Sequence, residues 1–221
     1  MTASAVRTVA LFPMKAHSAR VTSKNFRELA GKPLFRWMLD TLLSMPEIDE
    51  VVINTDAQAI LADLGVEDGH GGRVTIRDRR PEIRGDLVSM NLVRADDIAH
   101  VAADRYLMTH TTNPLLGPET IRNALAAYDA ALAQGTGDSL FTVSKVQTRF
   151  YRGNGSPVNH DPDNLIRTQD LEPWFEENSN LYLFSAASFA ATGARIGRKP
   201  VLFETPILIA VMLILGGIVL L

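Results

Sequence analysis

Residues 12–25, FPMKAHSARVTSKN, concentrate cations and hydrogen-bonding side chains near the amino terminus of the chain. The apolar run at residues 6–12, broken by Arg7 and Thr8, predicts a short strand buried in a parallel sheet. The stretch itself has no acidic residue. Because α/β sheets bind ligands beyond the carboxyl ends of their strands and cations pair strongly with phosphate oxygens, it predicts a polyanion site; a solvated basic loop is the alternative. No glycine is present, so side chains would have to hold the phosphates. The cations and hydrogen-bonding groups are Lys15, His17, Ser18, Arg20, Thr22, Ser23, Lys24 and Asn25.

The composition narrows the class of protein. A chain of 221 residues suits one domain of ordinary size. A net charge of -3 and a pI of about 6.0 argue against general nucleic-acid binding. The sequence has no cysteine, which excludes disulfides and thiolate metal sites. Residues 1–7 lack the apolar core of a signal peptide, so we expect a cytoplasmic protein.

Apolar runs alternate with segments of helical period along the chain. Because such alternation is typical of sheets covered by helices, it predicts an α/β fold with a Rossmann-like, mainly parallel sheet and helices on both faces. The predicted strands are residues 48–54, 74–77, 106–108, 139–146, 181–185 and 201–203, and the predicted helices are residues 33–44, 56–64, 89–102 and 118–132.

Two segments depart from this alternation. Residues 147–178 are rich in glycine and proline, and we interpret them as an arm inserted into a single domain of residues 1–206, either a lid or an interface; an ill-ordered insert is the alternative. Residues 207–221, ILIAVMLILGGIVLL, carry no charge. As a helix they would span roughly 22 Å, less than the ~30 Å hydrocarbon core of a bilayer.

Two more polar clusters follow predicted strands. One contains Arg77, Arg79 and Arg80, then Asp86, Ser89 and Asn91; the other is residues 110–114, beginning with His110. Together they offer cations for phosphates and amide or hydroxyl groups for a base and a sugar. The arginines could instead form a surface ion-pair patch of small energetic value, His110 could be structural, and Asp56 could be a helix cap. The histidine spacing argues against a histidine metal site, and a GxSxG motif is lacking.

Several of these motifs resemble one known family. Residues 10–39, ALFPMKAHSARVTSKNFRELAGKPLFRWML, resemble the amino-terminal signature of the acylneuraminate cytidylyltransferases, the CMP-sialic acid synthetase group that includes CMP-legionaminate and CMP-pseudaminate synthetases. The resemblance covers residues 9–204. It continues through VVINTD (51–56), RRPEIRGD (79–86), THTTNPLL (109–116) and RTQDLEPWFEENSNLYLF (167–184).

The resemblance implies a reaction and a set of site residues. The anomeric hydroxyl of a nonulosonic acid would attack the α-phosphate of CTP and expel pyrophosphate. By matching position, Lys15 and Lys24 would be catalytic and bind the triphosphate, together with Ser18 and Asn25. Either Arg79 or Arg80 (the register is ambiguous by one residue), Asn91 and His110 would line the nucleotide pocket, while Gln169 and Asn178 would face the sugar acid. Homodimerisation through the arm is also expected, and no nucleic-acid partner.

The end of the chain departs from the family pattern. Family members carry an aspartate pair, D-x-D, that binds Mg²⁺; here FETP at residues 203–206 runs directly into the apolar tail, so the metal ligands are unknown. Either Asp56 with water makes a weak Mg²⁺ site, or catalysis is impaired. The tail could pack on the sheet, anchor the chain to a membrane, or come from a frame-shifted or truncated reading frame, which is the interpretation we favour. The rival functions are another sugar nucleotidyltransferase, such as a 3-deoxy-octulosonate type, and a nucleotide-binding protein without catalysis.

Overall fold

The computed structural model describes residues 6–17, 23–85 and 87–206. Three features of the sequence analysis lie outside the described residues: Ser18 with its neighbours at 19–22, Asp86, and the apolar tail at 207–221.

Strands and helices alternate through the described residues, as the sequence predicts. The strands are β1 (Thr8–Leu11), β2 (Glu28–Leu29), β3 (Lys32–Pro33), β4 (Glu50–Thr55), β5 (Val74–Asp78), β6 (Arg105–Thr109), β7 (Ser139–Val146), β8 (Trp174–Phe184) and β9 (Pro200–Glu204). The α-helices are α1 (Leu34–Leu43), α2 (Gln58–Asp63), α3 (Met90–His100), α4 (Pro118–Gln134) and α5 (Ala186–Thr192).

Within the described part of the chain, seven strands form one sheet in the order β5–β4–β1–β6–β8–β7–β9. β5, β4, β1 and β6 pair in parallel, as do β7 and β9. β8 runs antiparallel to both of its neighbours, β6 and β7. The predicted mainly parallel sheet is therefore confirmed, with β8 as the reversed strand.

Helices pack on both faces of this sheet, because successive side chains of each strand point to opposite sides. Ala10 and Phe12 belong to the core cluster that includes residues of α1 and α4. Val9 and Leu11 belong to the opposite cluster, with Phe189 of α5 and Ile98 of α3 packed there. Since the strands are covered on both sides, the carboxyl edge of the sheet is left to carry a site.

The arm region differs in part from its sequence interpretation. Residues 174–178, assigned to the irregular arm from the sequence, belong to β8 and pair with β7 as far as Val146–Trp174. Before β8, residues 147–173 contain a bridge between Tyr151 and Pro157 and a 3₁₀ turn at Thr168–Asp170. The β2–β3 hairpin and α5 were not predicted. Among the described residues, every helix is too short or too polar to cross a bilayer.

Candidate active site

A cavity of about 270 Å³ opens beside the loops that follow β1 and β6. Lys15, Lys24, Asn25, Arg79 and His110 contribute to its wall. Val88, just before α3, and Met90 and Val93, in its first turn, form an apolar part of the lining. The cavity thus combines cations and amides with an apolar surface, at the sheet edge where the sequence predicts a ligand.

The loop after β1 continues along the end of β4. The amide of Phe12 donates to the Val52 carbonyl (2.9 Å), and that of Met14 donates to the Asn54 carbonyl (3.2 Å). These bonds prolong the β1–β4 ladder by two more steps. Lys15 is therefore presented from backbone that the sheet itself holds in place, and its side chain is half-buried in the cavity wall.

Three side chains fix this loop from different directions. Asn25 Nδ2 donates to the Lys15 carbonyl (2.9 Å), and Arg79 Nη2 donates to the Met14 carbonyl (2.9 Å). Asp56 accepts from the Ala16 amide (2.7 Å). A loop held in this way loses little conformational entropy when a ligand binds, which favours precise placement of the Lys15 ammonium.

Asn25 also joins two loops of the site. It lies in the 3₁₀ turn Lys24–Phe26, after Ser23 in the left-handed region at φ 51°. Besides its bond to Lys15, its Oδ1 accepts from Thr111 Oγ1 (2.6 Å), which belongs to the loop after β6. Both polar atoms of the Asn25 side chain are therefore hydrogen-bonded within the protein, and they tie the turn that carries Lys24 to the loop that carries Lys15.

The structure separates the roles of Arg79 and Arg80. Arg79 is 3% exposed and donates to Asn54 Oδ1 (2.9 Å), to the Asn54 carbonyl (2.8 Å) and to the Met14 carbonyl. Burial lowers its pKa below the usual arginine value. Arg80 turns away to pair with Asp96 of α3 (2.9 Å), and 58% of its side chain is exposed. In this structure it is Arg79 that lies in the cavity wall.

A buried polar network extends from Arg79 to α3. Asn54 Nδ2 donates to Asp97 Oδ1 (2.7 Å), and Arg77 pairs with both Asp97 (3.1 Å) and Asp96 (2.8 Å). Burial raises the pKa of Asp97 to about 6, against the opposing effects of Asn54 and Arg77. The network joins β4, β5 and α3 behind the loop that carries Lys15.

His110 follows β6 directly and is neutral at physiological pH. Burial lowers its pKa to about 3, with the cations Arg94, Arg195 and Lys24 adding to the effect. A neutral imidazole can donate one hydrogen bond and accept another, but it adds no positive charge for a phosphate. With such a low pKa it is also a weak proton acceptor.

Comparison with known proteins identifies the family of this chain. The sequence model of the family described as "Cytidylyltransferase" matches residues 9–201. The chain belongs to the cytidylyltransferase family. It is 28% identical over 216 residues to a CMP-N,N'-diacetyllegionaminic acid synthase of Legionella pneumophila, covering 91% of this chain and 84% of that protein. It is also 28% identical over 187 residues to an N-acylneuraminate cytidylyltransferase of Oncorhynchus mykiss, covering 81% of this chain and 41% of that one.

A solved structure supports the fold. A CMP:2-keto-3-deoxy-manno-octonic acid synthetase complexed with CTP matches 90% of this chain and 90% of its own, with a TM-score of 0.62 and 14% identity. The resemblance to acylneuraminate cytidylyltransferases, read from residues 10–39, is confirmed by the family match and by the sequence relatives.

Three residues that the family resemblance nominates do not line the cavity of this cytidylyltransferase. Asn91 lies in the first turn of α3, where its Oδ1 accepts from Arg94 (3.5 Å). Gln169 is exposed in the arm region, and its carbonyl accepts from Gln147. Asn178 is buried, and its amide donates to Ser144 Oγ (3.2 Å) and Thr205 Oγ1 (2.8 Å). The Asn178 amide group is therefore used to hold β8 in place.

Sequence reasoning missed two arginines near His110. Arg94 is fully buried although α3 is a polar-looking helix. Arg195 follows α5 and pairs with Glu177 (2.8 Å), while its guanidinium lies 4.0 Å from the centre of the Tyr182 ring. A signal for Arg94 does exist in the sequence, because it stands four residues after Met90 and four before Ile98, on the apolar stripe of the helix.

The described residues do not fit a preformed Mg²⁺ site. Over residues 6–17, 23–85 and 87–206, no group of three or more acidic or histidine side chains is placed to hold a metal ion. Asp56, which the sequence offered as a ligand, is exposed and already accepts from the Ala16 amide. Proteins usually bind Mg²⁺ through one or two carboxylates together with substrate phosphates. A single exposed carboxylate therefore does not make a Mg²⁺ site before a nucleotide is bound.

Proposed function

We propose that the chain transfers CMP from CTP to a nonulosonic acid and releases pyrophosphate. The observation that carries this proposal is the pair of half-buried lysines, Lys15 and Lys24, which converge on one cavity at the carboxyl edge of the sheet in a member of the cytidylyltransferase family. The relatives named for CMP-legionaminic acid and N-acylneuraminate synthesis support the choice of acceptor.

In the proposed reaction, the anomeric oxygen of the acid forms a bond to the α-phosphorus of CTP. The bond from that phosphorus to the bridging oxygen breaks, pyrophosphate leaves, and the proton of the attacking hydroxyl is released to water. Negative charge grows on the departing pyrophosphate, so positioned cations lower the barrier most effectively. We assign that role to Lys15 and Lys24, with Ser18 as a further triphosphate contact.

The other cavity residues support this chemistry indirectly. Asn25 and Arg79 hold the loops that carry the two lysines, through the carbonyls of Lys15 and Met14. His110, being neutral, is suited to hydrogen bonding with the nucleotide or the acceptor. Because the sequence has no aspartate pair after residues 203–204, we expect slower turnover than in relatives that carry one.

The proposal is tested by measuring pyrophosphate release. The full chain is incubated with Mg²⁺, one nucleoside triphosphate (CTP, ATP, GTP or UTP) and one acid: N,N'-diacetyllegionaminic acid, N-acetylneuraminic acid, pseudaminic acid or 3-deoxy-manno-octulosonate. Mass spectrometry then identifies the sugar nucleotide. We expect release with CTP and a nine-carbon acid. A preference for the eight-carbon acid, or for another triphosphate, would show that the proposed substrates are wrong.

A nucleotide-binding protein without catalysis is the second candidate, because the described residues contain no group of three or more acidic or histidine side chains placed to hold a metal ion, and residues 205–221 contain no aspartate pair. It predicts that CTP binds in a calorimetric titration while neither pyrophosphate nor a sugar nucleotide forms with any acid of the panel.

We also propose that the chain forms a homodimer through the arm. Large apolar side chains lie exposed on this segment and on the adjoining half of β8, a pattern that marks interaction surfaces in soluble proteins. They are Tyr151, Val158, Leu165, Ile166, Trp174 and Phe175.

A further inference from the structure

We propose that Arg94 and Arg195 bind the carboxylate of the acceptor, beside the nucleotide cavity, and thereby select a sugar acid over a neutral sugar. This inference rests on the proposed function, because the carboxylate is that of the acceptor. It assigns a binding role to two residues that neither the sequence motifs nor the cavity wall had indicated.

The two arginines approach the same area of the sheet. Met108 of β6 and Tyr182 of β8 are paired across the two strands and share one face. Arg94 Nη2 lies 3.4 Å from Met108 Sδ, and the Arg195 guanidinium carbon lies 4.0 Å from the centre of the Tyr182 ring. The guanidinium groups thus occupy neighbouring positions on the face that α3 covers.

Arg94 is a buried cation with poor partners. It is 0% exposed, and its hydrogen bonds go to Asn91 Oδ1 at 3.5 Å and to a thioether, which is a weak acceptor. Its Nε is buried without a hydrogen-bond partner among the described residues, and the negative charges of Asp97 and Glu177 offset only part of the effect of burial. Burial lowers its pKa to about 10. Burying a cation in this way is unfavourable unless an anion joins it.

Arg195 supplies a second cation and the access to solvent. Its Nη2 donates to Glu177 (2.8 Å) and to the Tyr182 hydroxyl (2.9 Å), while its Nε is buried without a partner. Since 24% of its side chain is exposed, a solute can reach it. Glu177 balances one of the two arginine charges. A bound carboxylate would balance the other more directly than Asp97, whose charge also acts on Arg94.

Asn180 adds neutral hydrogen-bonding groups at the same place. It lies two residues before Tyr182 on β8, so its side chain shares that face, and it is 0% exposed. Both Nδ2 and Oδ1 are buried without a partner. Because buried amides are nearly always hydrogen-bonded in native proteins, the free donor and acceptor fit the hydroxyls of a sugar.

His110 links this area to the nucleotide cavity. It contributes to the cavity wall, and the positive charges of Arg94, Arg195 and Lys24 all lower its pKa. In a 2-keto acid the carboxyl carbon is bonded directly to the anomeric carbon. Holding the carboxylate at the arginines would therefore place the attacking hydroxyl towards His110, which shares the cavity wall with Lys24.

Calorimetric titration of the full chain tests this assignment without requiring turnover. In the presence of saturating CTP, N,N'-diacetyllegionaminic acid and N-acetylneuraminic acid are titrated into the wild type, Arg195→Gln and Arg198→Gln. Arg198 is the matched control, because it lies in the same loop between α5 and β9, is itself exposed, and donates from its side chain to the Ala191 carbonyl. The methyl ester of each acid is titrated in parallel.

We expect Arg195→Gln to weaken acid binding tenfold or more, while CTP affinity stays within twofold and Arg198→Gln behaves as wild type. The wild type should bind the methyl ester at least tenfold more weakly than the acid, and Arg195→Gln should not discriminate between them. Arg94→Lys, checked for folding by its thermal melt, should weaken acid binding in the same direction.

Three results would overturn the assignment. The first is acid binding that is unchanged in Arg195→Gln. The second is a loss of CTP or pyrophosphate affinity in place of acid affinity, which would make the arginines a phosphate site. The third is wild-type chain that binds CTP but none of the acids. Failure of CTP itself to bind the wild type would instead refute the proposed function.

Discussion

Replacing each of two adjacent arginines with lysine tests whether hydrogen-bond geometry, and not positive charge alone, determines stability and CTP binding. Arg79→Lys and Arg80→Lys both keep the positive charge. Arg79 is buried and donates three hydrogen bonds, to both the side chain and the carbonyl of Asn54 and to the Met14 carbonyl. Arg80 is largely exposed and pairs with Asp96, which keeps its bond to Arg77 in either variant.

The magnitudes follow from these contacts. A lysine ammonium cannot reproduce the planar fork that lets Arg79 reach Asn54 and Met14 together. Losing one or two hydrogen bonds to a charged group, each worth roughly 1.5–3 kcal/mol, should cost Arg79→Lys about 2–4 kcal/mol of unfolding free energy. For a chain of this length that lowers Tm by about 5–15 °C. Arg80→Lys affects an exposed pair and should cost less than about 1 kcal/mol.

The effect on CTP should follow the same order, because Arg79 holds the loop that presents Lys15. Differential scanning fluorimetry gives Tm for both variants, and calorimetric titration gives their CTP affinity at one fixed Mg²⁺ concentration. We expect Arg79→Lys to weaken CTP binding about tenfold, or about 1.4 kcal/mol, and Arg80→Lys to match the wild type. The reasoning fails if the two variants lose equal stability and affinity, or if Arg80→Lys is the more damaged.

Two further predictions concern pH and assembly. The folded pKa of His110, about 3, lies below its ordinary value of 6.5, so the unfolded chain takes up a proton first and stability falls as pH drops below about 6.5. Between pH 6.5 and pH 5, wild type should lose about 1.6 kcal/mol more than His110→Gln in urea unfolding; equal losses would show that His110 titrates normally. Light scattering should find wild type at twice the 24.2 kDa chain mass and Phe175→Asp at the chain mass, because a carboxylate disrupts an apolar interface. Leu132→Asp, at an exposed position of α4, is the control, and a monomeric wild type would remove the arm dimer.

Strands and helices with a clear hydrophobic period could be predicted from the sequence. Residues 139–146 were assigned as a strand with the bounds that β7 has, and α1 and α4 agree to within two residues at each end. The amino-terminal half of β8 was missed because Trp174 to Asn178 carries two glutamates in a proline-containing context. α5 has seven residues, too few for a period, although the reciprocal Ser185–Ser188 capping box was a usable signal.

The site was predictable in kind but not residue by residue. The loop after β1 predicts a polyanion site because it carries cations and no acidic residue, and Lys15 and Lys24 are among those cations. Arg79 and Arg80 both follow β5, and which of them enters the cavity depends on the residue at which the chain turns. The hydrophobic pattern of β5 does not fix that turn to a single residue. Arg94 is easily overlooked because an arginine close to Asp96 and Asp97 suggests a surface charge, although its place between Met90 and Ile98 on the apolar stripe of α3 indicates burial.

Titration of CTP into wild type and Lys24→Ala tests the central claim most directly, with Lys145→Ala as the control because Lys145 is exposed on β7. We predict that wild type binds CTP, that Lys24→Ala loses about 1.5–3 kcal/mol of binding free energy, the range for a hydrogen bond to a charged group, and that Lys145→Ala matches wild type. Wild-type chain that does not bind CTP, or a Lys24→Ala variant that binds it with unchanged affinity, would contradict the account.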